Sequence, residues 1–105
     1  MIKNSNIIIT GTSSGIGREL VLKFLKNNNK VWGCSRKEDS IKTKNYCHFK
    51  LDLSDTSRIN EWIDKVSEDT EGKIDVFISN AAIFDRKLNL LMLLKLTRNF
   101  QAFHD

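Results

Sequence analysis

The stretch from Ile7 to Gly17 limits what this chain can fold into more than any other. Ile7-Ile8-Ile9 is a β-branched run with no polar alternation, the mark of a strand buried on both faces. Thr10-Gly11-Thr12-Ser13-Ser14-Gly15-Ile16-Gly17 follows it. From Ile16 to Lys26 the apolar residues Ile16, Leu20, Phe24 and Val21, Leu25 then recur at helical spacing. A buried strand that turns through a Gly-rich bend into an amphipathic helix is the context a nucleotide-binding turn requires. Gly11 is placed to leave the strand sharply, Gly15 to admit a pyrophosphate to the backbone, and Gly17 to let the helix pack closely on the sheet. The helix start offers N–H groups and a partial positive charge to phosphates, and Ser13 and Ser14 add hydroxyl donors.

The rest of the chain continues the alternation. Asn27-Asn28-Asn29 is a helix stop, because Asn tolerates the left-handed conformation of a C-cap. Val31-Trp32-Gly33-Cys34 predicts a second strand and His48-Phe49-Lys50-Leu51 a third. Ser54 or Asp55 caps a helix whose Ile59, Trp62, Ile63 and Val66 form an i, i+3, i+4, i+7 stripe. Val76-Phe77-Ile78 predicts a fourth strand, and Leu88 to about Phe103 a helix apolar on nearly every side. Strands alternating with helices imply parallel strands joined by right-handed crossovers. At 105 residues the chain has room for one small domain, residues 1–105.

Composition excludes more than it assigns. A 40% hydrophobic and 29% charged chain is that of a soluble globular protein. The net charge of +4 favours an anionic ligand, but the Lys residues are scattered, so most read as solvated surface, and no run is dense enough for nucleic acid. Cys34 and Cys47 stand apart, with no Cys/His cluster, which argues against a metal site or a disulfide framework. The start has no signal-peptide core, and Leu90–Leu94 is far short of the ~20 apolar residues that span a bilayer. The expected setting is reduced and cytoplasmic, with no membrane partner.

The spacing TGxxxGIG, as distinct from GxGxxG, resembles the short-chain dehydrogenase/reductase family. Three further stretches carry the resemblance. Ser35 and Arg36 end the second strand about 20 residues past the last Gly, where an acidic residue holds the ribose of NAD. Ser35 stands where NAD-preferring members carry Asp, so the resemblance implies that Arg36, with Lys37, clamps a 2′-phosphate through its guanidinium fork and that NADP is favoured over NAD. Leu51-Asp52-Leu53-Ser54 is similar to the family's Asp-Leu pair beside the adenine, where Asp52 accepts from the amino group and Leu53 presents its backbone. Taken alone, Asp52 also reads as a turn or capping residue. Ser79-Asn80-Ala81-Ala82 is similar to Asn-Asn-Ala-Gly, in which Asn80 hydrogen-bonds across the sheet and Ala81 leaves room for the ribose. Ser79 and Ala82 depart from that pattern. The implied fold is a Rossmann-type, doubly wound parallel α/β sheet of about four strands in the order 3-2-1-4, with the nucleotide between the first and fourth strands.

The resemblance also implies what cannot be placed. The family's Tyr-x-x-x-Lys pair, a Ser on a fifth strand and an Asn in the fourth helix lie beyond the matched motifs, and the sequence ends at Asp105. Tyr46-Cys47-His48-Phe49-Lys50 fits YxxxK literally, but it runs into the third strand and is set aside as catalytic. His48, His104 and Asn99 receive no role. The leading expectation is an NADP-binding portion of an oxidoreductase that does not catalyse hydride transfer unaided. The alternatives are an active reductase completed by a second polypeptide, or a non-catalytic module that pairs with full-length relatives. For that pairing, or for oligomerisation, the Leu-rich C-terminal helix is the candidate surface.

Overall fold

Ile7, Ile8 and Ile9 are fully buried in the computed structural model, which describes residues 2–12, 15–38 and 41–80. Their strand, β1 (Asn6–Thr10), is central. It is followed by α1 (Gly15–Lys26), β2 (Lys30–Ser35), β3 (Tyr46–Lys50), α2 (Thr56–Thr70) and β4 (Val76–Ser79). The strands pair in the order β3-β2-β1-β4, all parallel. This is the expected doubly wound α/β sheet in its expected order.

Side chains of a strand alternate between faces, and β1 uses both. Ile7 and Ile9 join Val31, Tyr46 and Val21 of α1, with Leu20, Phe24 and Leu25 packed against them. Ile8 joins Trp32 and Cys34 on the opposite face, under Ile59, Trp62, Ile63 and Val66 of α2. The two helices thus lie on opposite faces, which is why no strand of the centre reads as half-polar.

The ends of the helices follow local chemistry. Asp55 is the N-cap of α2, accepting from Arg58 N at 3.3 Å and Ser57 Oγ at 2.8 Å. At the end of α1 the three asparagines divide the work. Asn27 Nδ2 donates to Lys23 O at 3.1 Å, and Asn28 takes the left-handed conformation (φ 62°). Asn29 is buried, accepting from Ser5 N and donating to the carbonyls of Ile2 and Phe24. The helix terminus is therefore tied to the start of β1 by one amide.

Two expectations need correction. The third strand begins two residues earlier than its apolar pattern suggests, at Tyr46, and Leu51 lies just past its end. Its register on β2, Val31 with Tyr46 and Gly33 with His48, outweighs local composition. Ile16, placed in the apolar stripe of α1 by spacing, is 71% exposed. It stands in the first turn of α1, past the carboxyl end of β1, where no sheet lies beneath it. The helix expected from Leu88 to Phe103, with its candidate pairing surface, lies outside the described residues. Among the described residues no helix is long and apolar enough to cross a membrane.

Two outcomes follow from this packing. Desolvation pushes the Cys34 thiol up to about 12, with a backbone hydrogen bond from Gly11 opposing only part of the shift. Cys34 is expected to resist iodoacetamide in the folded chain at mildly alkaline pH and to react after denaturation, which peptide mapping resolves from the half-buried Cys47. The Asp55 carboxylate is held below the ordinary range by Ser57 Oγ–H and then Arg58 N–H. A lowered folded-state value contributes stability above the unfolded carboxylate range, and that contribution disappears as pH falls through the folded value. Asp55→Ala is expected to lower Tm at neutral pH and to reduce the loss of Tm on acidification, as followed by circular dichroism.

Candidate nucleotide site

The Gly-rich bend sits at the carboxyl ends of β1 and β2, and neighbouring strands hold it in place. Gly11 N and Thr12 N both donate to Cys34 O, at 2.9 and 3.2 Å. Gly11 and Gly15 adopt φ of 72° and 60°, a region that side-chain-bearing residues rarely enter. From the far side, Asn80 follows β4 and donates its backbone N–H to Thr10 Oγ1 at 2.9 Å. Its Nδ2 donates to Gly11 O at 3.3 Å. The expected hydrogen bond of Asn80 across the sheet is therefore present.

Gly17 closes this arrangement. A Cβ there would collide with the carbonyl oxygen of Gly11 and lie 2.6 Å from Asn80 Nδ2. The helix can approach the bend only because position 17 has no side chain. Gly15 is the opposite case, since a Cβ there would meet nothing within 4 Å. Among the described residues the space beside Gly15 is thus open.

Three features of that open side suit a dinucleotide. The first-turn amides of an α-helix have no partner within the helix, and the first turn of α1 carries no acidic residue to neutralise them. Ile16 keeps an apolar surface exposed at the rim. The strand order reverses between β1 and β4, the kind of switch point beside which open α/β sheets bind their ligands.

Arg36 and Asp52 come from the ends of β2 and β3, and both are exposed. Asp52 accepts from Ser54 N and Ser54 Oγ, each at 2.9 Å, which makes it a turn residue in this structure. Those bonds, and then the nearby Arg36 guanidinium, hold its carboxyl below the usual range. The site thus brings an Arg and a carboxylate together from different loops. The Leu53 side chain is 8% exposed and belongs to the α2-side core, so only its backbone is available to a ligand. Ser13, Ser14 and Ala81 lie outside the described residues.

Four residues that shape this region were given no part in it by sequence reasoning, which passed over Thr10 and Thr12, set Tyr46 aside as catalytic and left His48 without a role. Thr10 and Thr12 are fully buried, and their hydroxyls hold Asn80 on one side and the β2–β3 region on the other. Tyr46 and His48 alternate along β3 and face Thr12. Their i, i+2 spacing on a strand was the available signal. No group of His, Cys, Asp and Glu among the described residues is placed to hold a metal ion.

Comparison with known proteins accounts for this geometry. Over residues 5–102 the sequence matches the family described as short chain dehydrogenase. A 3-oxoacyl-acyl-carrier-protein reductase of Buchnera aphidicola subsp. Schizaphis graminum is 33% identical over 97 residues, covering 87% of this chain and 39% of that protein. The NADPH-dependent pterin aldehyde reductase of Arabidopsis thaliana is 26% identical over 88 residues, covering 76% and 36% respectively. A short chain dehydrogenase from Leptospira borgpetersenii with bound NAD+ shares the fold with a TM-score of 0.73 at 19% identity, covering 94% of this chain and 45% of that one. One from Burkholderia cenocepacia in complex with NADP has a TM-score of 0.69 at 18% identity, covering 96% and 48%. The chain spans less than half the length of each of these proteins. The family match spans nearly the whole sequence and the solved structures share the fold, and the chain belongs to the short chain dehydrogenase family.

Proposed function

We propose that this chain is the coenzyme-binding portion of a short-chain oxidoreductase, a single domain that takes NADP(H) in preference to NAD(H) in the crevice above β1 and β4. The observation that carries the reading is the bend at Gly11–Gly17, sealed on its inner side by Gly17 against Gly11 and Asn80 and open on its outer side at Gly15. A diphosphate there receives the backbone amides at the start of α1 and the positive end of its dipole. Ser13 and Ser14 add hydroxyls, Ile16 offers apolar surface, and Ala81 leaves space for the ribose. When bound, the nicotinamide supplies the hydride chemistry, and the protein supplies orientation.

The preference rests on the end of β2. No carboxylate stands at Ser35 to bind a ribose 2′-hydroxyl and repel a phosphate, and the exposed Arg36 follows it. A guanidinium fork matches a phosphate better than a neutral hydroxyl. The Arabidopsis relative is described as NADPH-dependent, in line with this reading, whereas the two structural neighbours hold one coenzyme each. Asp52 lies within the influence of Arg36 and remains the acceptor for the adenine amino group, with the Leu53 backbone beside it.

Catalysis needs a proton donor within reach of the substrate oxygen. The single Tyr of the sequence, Tyr46, has its hydroxyl 2.7 Å from Thr12 Oγ1 and from His48 Nδ1, on the α1 face of β3. It serves the fold, not the reacting carbonyl. The chain alone is therefore proposed to bind coenzyme without turnover, in the cytoplasm.

Titration of the pure chain by nicotinamide fluorescence is expected to show saturable binding of NADPH, tighter than NADH. Arg36→Asp should weaken NADPH by about tenfold or more, the equivalent of one charge-assisted hydrogen bond, and leave NADH equal or tighter. Gly17→Ala should abolish binding of both and cost at least about 1–3 kcal/mol of stability from overpacking. Absence of saturable binding by the folded wild-type chain would overturn the reading, and steady oxidation of NADPH with a panel of carbonyl compounds would overturn its non-catalytic part.

A further inference from the structure

Next to the exposed Arg36 ends a chain of polar side chains, buried at Thr12 and Tyr46 and half-buried at His48 and Ser35, that coenzyme binding as described above does not use. It begins where the sheet has a gap. A Cβ at Gly33 would lie 2.8 Å from Thr12 Cγ2 and would strike the Tyr46 hydroxyl. The missing side chain lets these two residues meet across β2, with Thr12 Oγ1 and Tyr46 Oη 2.7 Å apart. Tyr46 Oη is also 2.7 Å from His48 Nδ1. On its other side, His48 Nε2 lies 2.8 Å from Lys37 O and 3.1 Å from Ser35 Oγ. Ser35 Oγ in turn donates to Lys37 O at 2.9 Å and accepts from Lys37 N at 3.3 Å.

A carbonyl oxygen only accepts, so His48 Nε2 carries a proton and donates to Lys37 O. On the other side of the ring Nδ1 pairs with the Tyr46 hydroxyl, which in turn pairs with Thr12 Oγ1, itself 3.4 Å from Cys34 O. One imidazole therefore grips both residues that flank Arg36, Ser35 on one side and Lys37 on the other. Tyr46 is 7% exposed and Thr12 is fully buried, so the anchor at the far end belongs to the rigid core. A side chain held this way keeps its partner turn in one conformation, and an interaction made through a preordered loop loses less entropy on binding.

We propose that His48, set by Tyr46 and Thr12, is the positioning residue that holds the Ser35–Lys37 turn and so determines how strongly Arg36 discriminates for a 2′-phosphate. The proposal rests on the NADP(H) reading of Arg36. His48 acts through the turn and touches no coenzyme atom. Its loss is felt chiefly by the phosphate-bearing coenzyme, because the Gly11–Gly17 bend, which serves both coenzymes, keeps ties besides the Thr12 hydroxyl: Gly11 N and Thr12 N donate to Cys34 O, and Asn80 Nδ2 donates to Gly11 O.

The test is a double-variant cycle read as dissociation constants for NADPH and NADH. His48→Leu is expected to weaken NADPH about fivefold, the loss of one ordinary hydrogen bond's worth of ordering, with NADH changed by less than about twofold. His48→Gln, whose amide still donates to Lys37 O, should recover most of the loss, and Tyr46→Phe should fall between. In an Arg36→Leu background, His48→Leu should change neither coenzyme further. Equal weakening of both coenzymes, no effect of His48→Leu, or independent effects of Arg36→Leu and His48→Leu that multiply in the double variant would each overturn the proposal. If Arg36→Leu alone leaves the NADPH-to-NADH ratio unchanged, the underlying NADP(H) reading fails instead. Cooperative thermal unfolding verifies that each variant is folded, and if His48→Leu is not, Tyr46→Phe carries the same cycle.

Discussion

The approach of α1 to the end of β1 is the contact on which the site depends. At Gly17 the helix backbone lies so near the Gly11 carbonyl that no side chain fits between them. Asn80 reaches the same carbonyl from β4, and Thr10 receives the Asn80 backbone N–H. The end of β1, the start of α1 and the residue after β4 thus meet at one peptide group. These contacts and the steric limit at Gly17 fix the inner side of the turn, at Gly11, whereas a Cβ at Gly15 would meet nothing.

Around that contact the fold divides into two cores that share β1. One face carries α1 and ends in the polar chain of Thr12, Tyr46 and His48. The other carries α2, with Trp62, Ile63 and Val66 buried on Ile8 and Trp32. The α2 face is almost wholly apolar at its centre. The α1 face gives up apolar packing near Gly33 and replaces it with hydrogen bonds, and no buried side-chain polar atom among the described residues lacks a partner. Such a network specifies geometry more sharply than apolar contact does, because each bond has a direction. That is the physical reason to look for function there and to see α2 as support.

Much of this was legible in advance because it depends on neighbours in the chain. The β-branched run at Ile7–Ile9, the stripe of Ile59, Trp62, Ile63 and Val66, and the three asparagines after α1 are each patterns of contiguous residues, whatever distant segments they pack against. Of the site residues, Gly11, Gly15, Gly17 and Asn80 stand where the motif spacing placed them. Ile16 and Asp52 were only half legible. Periodicity assigned Ile16 to the core, yet a first-turn residue has no sheet beneath it, and the Asp52 carboxylate is engaged by Ser54 two residues on.

The order of local patterns in the sequence was enough to determine the element types and their alternation into a parallel sheet, which follow from propensity and periodicity, properties of contiguous residues. The strand order 3-2-1-4 came from the resemblance to the short-chain dehydrogenase/reductase family that the glycine spacing carries. Tertiary structure alone decided what sits under Arg36. The parallel register that sets Gly33 beside His48 and Val31 beside Tyr46 brings Thr12, Tyr46, His48 and Lys37 into one chain of hydrogen bonds. Register is a relation between strands, and a shift of one residue would turn both rings to the opposite face. No pattern within either strand encodes that pairing.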